Sequence, residues 1–189
     1  LDEALRPRFE LRSPWGATAV SVGVSGRHNV ANALAAAAAA LGTGVGLDDV
    51  ARGLADARLS PWRMEIQIAA GGGRIINDAY NANPTSMRAA VDALADLDAE
   101  RRVAVLGEMA ELGPAAAEEH RGVADYARER GIEVLGVGTD LYGDPWCEDV
   151  EAAAAQLGEP GPAVAVLVKG SRVAGLERLA TRWCAGPQV

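Results

Sequence analysis

Two periods of apolar residues share this chain. Phe9 to Arg12 and Thr18 to Val24 are short β-branched or aromatic stretches either side of Ser13-Pro14-Trp15-Gly16, a spacing that predicts a hairpin. Helical spacing then takes over from Asn29 to Leu41 and again from Leu47 to Ala57, where Asp48 and Asp49 stand in the first turn and favour the helix dipole. Gly42-Thr43-Gly44-Val45-Gly46 looks like a phosphate loop but follows a helix, so it reads as a C-cap and turn. Around Leu59-Ser60-Pro61-Trp62 the helical pattern stops, which predicts a domain boundary, with residues 1–58 before it and 59–189 after it.

Beyond the boundary, Arg63 to Ala70 and Arg74 to Asp78 read as strands joined by a three-glycine hairpin turn. Helix Pro84 to Leu97, strand Arg102 to Leu106, helix Pro114 to Arg130 and strand Ile132 to Val137 follow. Helix Glu148 to Leu157, strand Ala163 to Val168 and helix Arg172 to Trp183 complete the series. The alternation predicts an α/β fold, a mostly parallel sheet flanked by helices. In such a sheet the carboxyl ends of the strands share one edge, where ligand-binding groups gather. That edge collects Asp78 to Asn83, Gly107-Glu108-Met109, Gly138-Thr139-Asp140 and Lys169-Gly170-Ser171-Arg172. The opposite connections, such as Asp98 to Arg101, read as plain solvent turns.

Composition narrows the function classes. A formal charge of -8 argues against binding nucleic acid through its phosphates. The apolar run Ala35 to Leu41 is far shorter than the roughly 20 residues of a membrane helix, and no signal segment opens the chain. A cytoplasmic protein is expected. Cys147 and Cys184 are too few and too isolated for a disulfide framework or a zinc site, and read as small buried or half-buried residues. The one lysine, Lys169, precedes Gly170 without the spacing of a G-x-x-x-x-G-K-[ST] loop, so this sequence holds no such loop.

The candidate chemistry follows from the loops. Ile76-Asn77-Asp78-Ala79-Tyr80-Asn81-Ala82-Asn83-Pro84 crowds an acid, a phenol and three amides between a strand and a helix, which packing alone does not explain. Lys169-Gly170-Ser171-Arg172 offers N–H groups, a hydroxyl and two cations, the equipment of an anion site. Glu108 and Glu111 can assist a metal or an amine, or simply be solvated. His120, inside a predicted helix, reads as a structural or surface histidine. Asn29 and Asn32 share one face at the start of a helix, where an amide suits the edge of an adenine, although taken alone the pair reads first as N-capping by Asn29.

Five blocks, taken together, resemble the Mur ligase family. They are Gly26-Arg27-His28-Asn29-Val30-Ala31-Asn32, Trp62-Arg63-Met64, Asp78-Ala79-Tyr80-Asn81-Ala82-Asn83-Pro84, Leu106-Gly107-Glu108-Met109-Ala110-Glu111-Leu112-Gly113 and Val168-Lys169-Gly170-Ser171-Arg172. They stand in the family's order, and the resemblance is nearest to the branch that adds D-alanyl-D-alanine to UDP-N-acetylmuramoyl-tripeptide in peptidoglycan synthesis. It implies the end of a central ATPase domain followed by a Rossmann-like C-terminal domain, in a monomeric ligase that uses ATP and magnesium. The family's phosphate loop and metal ligands are expected upstream of the matched blocks, so the isolated chain is expected to catalyse nothing, and no catalytic residue or metal ligand is assigned within it. By position, the resemblance implies Asn29 and Asn32 at adenine, Asp78 at the ribose, Arg63 at the phosphates, and Tyr80, Asn81 and Asn83 around the nucleotide. Glu108, Lys169, Ser171 and Arg172 would face the dipeptide, and closure of one domain on the other would assemble the nucleotide site. A diaminopimelate-adding ligase, a folylpolyglutamate synthase-like enzyme and a noncatalytic nucleotide-binding scaffold remain as alternatives.

Overall fold

A computed structural model describes residues 1–184. The chain forms two compact units, Leu1–Ser60 and Pro61–Val189. In the first, strands β1 (Arg8–Ser13) and β2 (Gly16–Ser21) pair as the expected antiparallel hairpin, and helices α1 (Asn29–Gly42) and α2 (Leu47–Ala55) follow. Leu11, Val20, Val22, Ala33, Ala37, Leu41 and Val50 close a small core between them. Thr43 N–H donates to Ala39 O and Gly44 takes a positive φ of 92°, so the glycine-rich stretch after α1 is indeed a helix end.

The second unit is a six-stranded sheet in the order β3-β4-β8-β5-β6-β7. Strands β3 (Glu65–Ile68) and β4 (Arg74–Asp78) pair antiparallel through the three-glycine turn. β4, β8 (Val164–Lys169), β5 (Arg101–Leu106), β6 (Glu133–Val137) and the two-residue β7 (Trp146–Cys147) run parallel. The fold is thus the expected mostly parallel sheet, and because its inner strands are covered on both faces their apolar runs are nearly continuous. On one face lie α5 (Val150–Leu157) and α6 (Glu177–Cys184), whose Val150, Ala153, Leu179, Ala180 and Trp183, with Leu176 just before α6, pack with Ile75, Val103, Val105, Val166 and Val168. On the other, α3 (Pro84–Ala95) and α4 (Ala116–Arg128) pack on each other and on the central strands. Cys147 is buried and Cys184 half-buried, both unpaired.

Some element bounds depart from the sequence expectation, the last helix most of all. The last helix does not begin at Arg172: Arg172–Ala174 is a single 3-10 turn, Gly175 takes the left-handed conformation at φ 61°, and α6 starts two residues later. β7 was not foreseen, since two residues carry no period to detect.

Candidate functional site

Strand register fixes the site's frame. Asp78 lies beside Lys169, Lys169 beside Leu106 and Leu106 beside Gly136, so four strand ends form one row at a single edge of the sheet. At its β4 end, Asp78 is almost fully buried with both carboxylate oxygens engaged. Oδ2 accepts from Lys169 Nζ at 2.6 Å and Oδ1 from the Met64 N–H at 3.0 Å. Lys169 is 2% exposed and donates a second bond to the Asn81 carbonyl at 2.9 Å. Burial lowers its pKa, the Asp78 carboxylate opposes that shift, and the nearby Arg63 charge adds to it. Lys169, which sequence order groups with Ser171 and Arg172, is therefore spent on the Asp78 loop.

The segment leading into β3 is strained. Trp62 and Met64 both have positive φ, 63° and 50°, which non-glycine residues seldom adopt. Neighbours hold it there: Tyr80 N–H donates to Trp62 O at 3.1 Å, the Arg172 guanidinium stacks over the Trp62 ring at 4.1 Å, and Arg63 stacks over Tyr80 at 3.9 Å. Tyr80, Arg63 and Arg172 thus form an exposed cationic and aromatic surface beside the buried Asp78–Lys169 pair. Asn81 Oδ1 accepts from Ala82 N–H, and Asn83 is the N-cap of α3 in a reciprocal capping box with Ser86, with Pro84 in the first turn.

The loop after β5 is pinned from three sides. Gly107 N–H donates to Lys169 O, and Tyr142 Oη donates to Gly107 O at 2.8 Å. Met109 N–H donates to His120 Nε2 at 2.8 Å, Ala110 N–H donates to Ser171 Oγ at 2.9 Å, and Ser171 N–H donates back to Glu108 O at 2.9 Å. Ser171 is therefore a brace between strand ends. A Cβ on Gly107 would lie 2.8 Å from that of Ala174, and one on Gly170 would lie 3.0 Å from Gly107 Cα, so both positions need the bare backbone. His120 is fully buried, as a structural histidine should be.

From this loop Glu108 projects, exposed, onto a cleft of about 280 Å³ walled also by Gly138, Glu148, Asp149, Val173 and Arg178. Three carboxylates and one guanidinium around a cleft of that size suit a small ligand carrying an ammonium and a carboxylate. Sequence reasoning placed Glu108 and Gly138 at this edge and missed Glu148, Asp149 and Arg178. Glu148 and Asp149 were absorbed into a helix that begins later, with Asp149 as its N-cap, and Arg178 was hidden in a helix thought to run unbroken from Arg172.

In the first unit, Asn29 is buried and its amide bonds Ser25 O at 2.7 Å and accepts from Asn32 Nδ2 at 2.9 Å. The residue before it, His28, occupies the cap position of α1, so Asn29 is not the N-cap. The pair shares one helix face as its spacing implied, with Asn32 exposed. Among the described residues no group of three or more His, Cys, Asp or Glu side chains is placed to hold a metal ion, and no helix is long and apolar enough to cross a membrane.

Residues 62–172 match the family model described as Mur ligase, glutamate ligase domain. The chain is 40% identical to the UDP-N-acetylmuramoyl-tripeptide–D-alanyl-D-alanine ligase of Mycobacterium leprae over 95% of its own length and 42% of that protein's. It is 38% identical to the enzyme of that name from Escherichia coli, over 90% of the chain and 40% of the relative. Among solved structures, a MurF from Acinetobacter baumannii superposes with a TM-score of 0.85 at 29% identity, covering 96% of this chain and 43% of that one. The chain thus spans about two fifths of the length of the relatives it matches.

Proposed function

The chain belongs to the Mur ligase family, and from that membership we propose that it is the C-terminal part of an ATP-dependent ligase that joins D-alanyl-D-alanine to UDP-N-acetylmuramoyl-tripeptide. In the reaction, ATP phosphorylates the tripeptide carboxylate, releasing ADP. The dipeptide amine then attacks the acyl phosphate, an amide bond forms, the carbon–oxygen bond to phosphate breaks, and the amine gives up a proton. The second unit's part is to present the dipeptide. The observation that supports this most is the charge pattern of the cleft, where Glu108, Glu148 and Asp149 offer acceptors for an ammonium and Arg178 a partner for a carboxylate.

The nucleotide would be met by the other polar groups. Asn32, oriented by Asn29, would read the adenine edge. Arg63, over Tyr80, would approach phosphates, and Arg172 would reach the anionic end of the acyl phosphate. Asp78 would meet the ribose only where its Lys169 and Met64 bonds leave lone pairs, since a carboxylate accepts about four. Asn81 and Asn83 would act mainly by holding the loop that carries Tyr80. On this reading the contribution of these residues is positioning and recognition of charge. By the same reading, residues 1–58 close the ATPase domain, residues 59–189 form the dipeptide domain, and the enzyme works in the cytoplasm.

The test uses the full-length polypeptide that carries this chain. Ligation should depend on D-alanyl-D-alanine and not respond to diaminopimelate or glutamate. Arg178→Ala should raise the dipeptide KM about 10- to 100-fold, as expected for losing a charge-assisted contact. Turnover with diaminopimelate or glutamate in place of the dipeptide would move the assignment to another branch, and none with any amino acid would favour a noncatalytic scaffold.

A further inference from the structure

We propose that His120 and Tyr142 are positioning residues for the amine-bearing substrate. From α4 and from the segment after β6, these two fully buried polar rings hold the Gly107–Ala110 backbone so that Glu108 stands at the cleft wall. The inference rests on reading that cleft as the dipeptide's site.

Beyond the last ladder residue of β5 the backbone must find new partners or water. A solvated loop would satisfy it at little cost and leave Glu108 mobile. Here the peptide groups on both sides of Glu108 are fixed instead. Tyr142 takes the carbonyl of Gly107, and His120 takes the N–H of Met109. The Ala116 carbonyl lies 2.6 Å from His120 Nδ1, which assigns the ring proton to that nitrogen and leaves Nε2 as the acceptor. The two rings touch, with centroids 4.8 Å apart at 59°, so each orients the other. Burial pushes the Tyr142 phenol well above its ordinary range, the Glu108 charge adds to the shift, and the hydroxyl stays a donor.

Two apolar rings would fill the same volume without the cost of burying polar atoms. What the polar atoms add is a defined backbone beneath one exposed carboxylate. Ser171 supplies two more bonds on the far side, its Oγ accepting from Ala110 N–H and its N–H donating to Glu108 O. Within this braced stretch Glu108 is exposed between the buried Gly107 and Met109.

The experiment measures KM for all three substrates in the full-length ligase. Tyr142→Phe keeps the ring and loses one hydrogen bond, so the dipeptide KM should rise about 3- to 10-fold while those for ATP and UDP-N-acetylmuramoyl-tripeptide stay within about twofold. His120→Phe should do the same, and His120→Gln, whose side-chain oxygen can accept from Met109 N–H, should restore most of the loss. The decisive arm is a cycle with Glu108→Gln. If the rings act through Glu108, Tyr142→Phe adds little in that background. A full additive penalty there would overturn the proposal, as would an unchanged dipeptide KM in Tyr142→Phe alongside a raised one in Glu108→Gln. An active enzyme in which Glu108→Gln is itself silent would remove the reading of the cleft, and this inference with it.

Discussion

Lys169 shows how far a residue's neighbours in sequence can mislead about its neighbours in space. Its place beside Gly170, Ser171 and Arg172 made it part of an anion site, yet strand alternation turns it to the same side as Asp78, across one register step. Register between β4 and β8 was invisible in the sequence, because the two strands lie 91 residues apart at this pair. The polar crowding from Asp78 to Asn83 was legible, but its use was not. A buried pair of this kind is costly to break from one side, since the survivor is left charged and unpaired. Asp78→Ala and Lys169→Ala should each lower stability by about 3–5 kcal/mol. Asp78→Leu with Lys169→Met should lose much less than the sum, a difference read by urea unfolding. The pH dependence has a definite sign. Burial depresses the folded lysine below its ordinary 10.5, so just under that value the unfolded chain holds the proton more tightly. Its contribution to stability is present above 10.5 and falls as pH drops through the folded value, a slope that Lys169→Met should flatten.

Elements were more legible than contacts, and the reason lies in where their signals are written. The inner strands announce themselves as apolar runs, and α3 by Asn83-Pro84 at its start, because caps and periods are local. The break before α6 was missed because one left-handed glycine interrupts a stretch whose apolar spacing continues across it. Close approach was hidden too: Gly107 and Gly170 look like loop glycines until the strand ends are seen to abut. Asn83 separates the two kinds of role. Its amide oxygen accepts from Ser86 N–H while Ser86 Oγ accepts from Asn83 N–H. Asn83→Ala should therefore cost about 1 kcal/mol in thermal or urea unfolding, and Asn83→Asp or Asn83→Ser most of nothing, since both can cap. If Asn83→Asp were as stable as wild type but raised the ATP KM severalfold in the full-length enzyme, the residue would also touch the nucleotide.

At the scale of the molecule, a change of period along the chain accompanies its division into two units. Helical periodicity ends near Ala57, β-branched and aromatic residues resume after Trp62, and the two compact units divide between Ser60 and Pro61. The physical basis is that each unit closes its own hydrophobic cluster, one around Leu11, Val20 and Leu41, the other around Val105, Val166 and Leu179. Arg58, Leu59, Ser60 and Pro61 are all exposed and carry no strand or helix pairing, so little local structure must open for a protease to bind there. The Arg58 guanidinium donates to carbonyls at its own helix end, Ala55 and Ala57. Trypsin acting briefly on the chain should therefore cut first after Arg58, and residues 59–189 should persist as a folded product. Arg63, five residues on, should be protected, because Met64 is buried and its N–H is held by Asp78. Mass spectrometry of the first fragments decides it. Early cleavage at Arg63 would mean that the strained Trp62–Met64 segment opens as readily as the connection before it, and that the Asp78 bond does not anchor the start of the sheet.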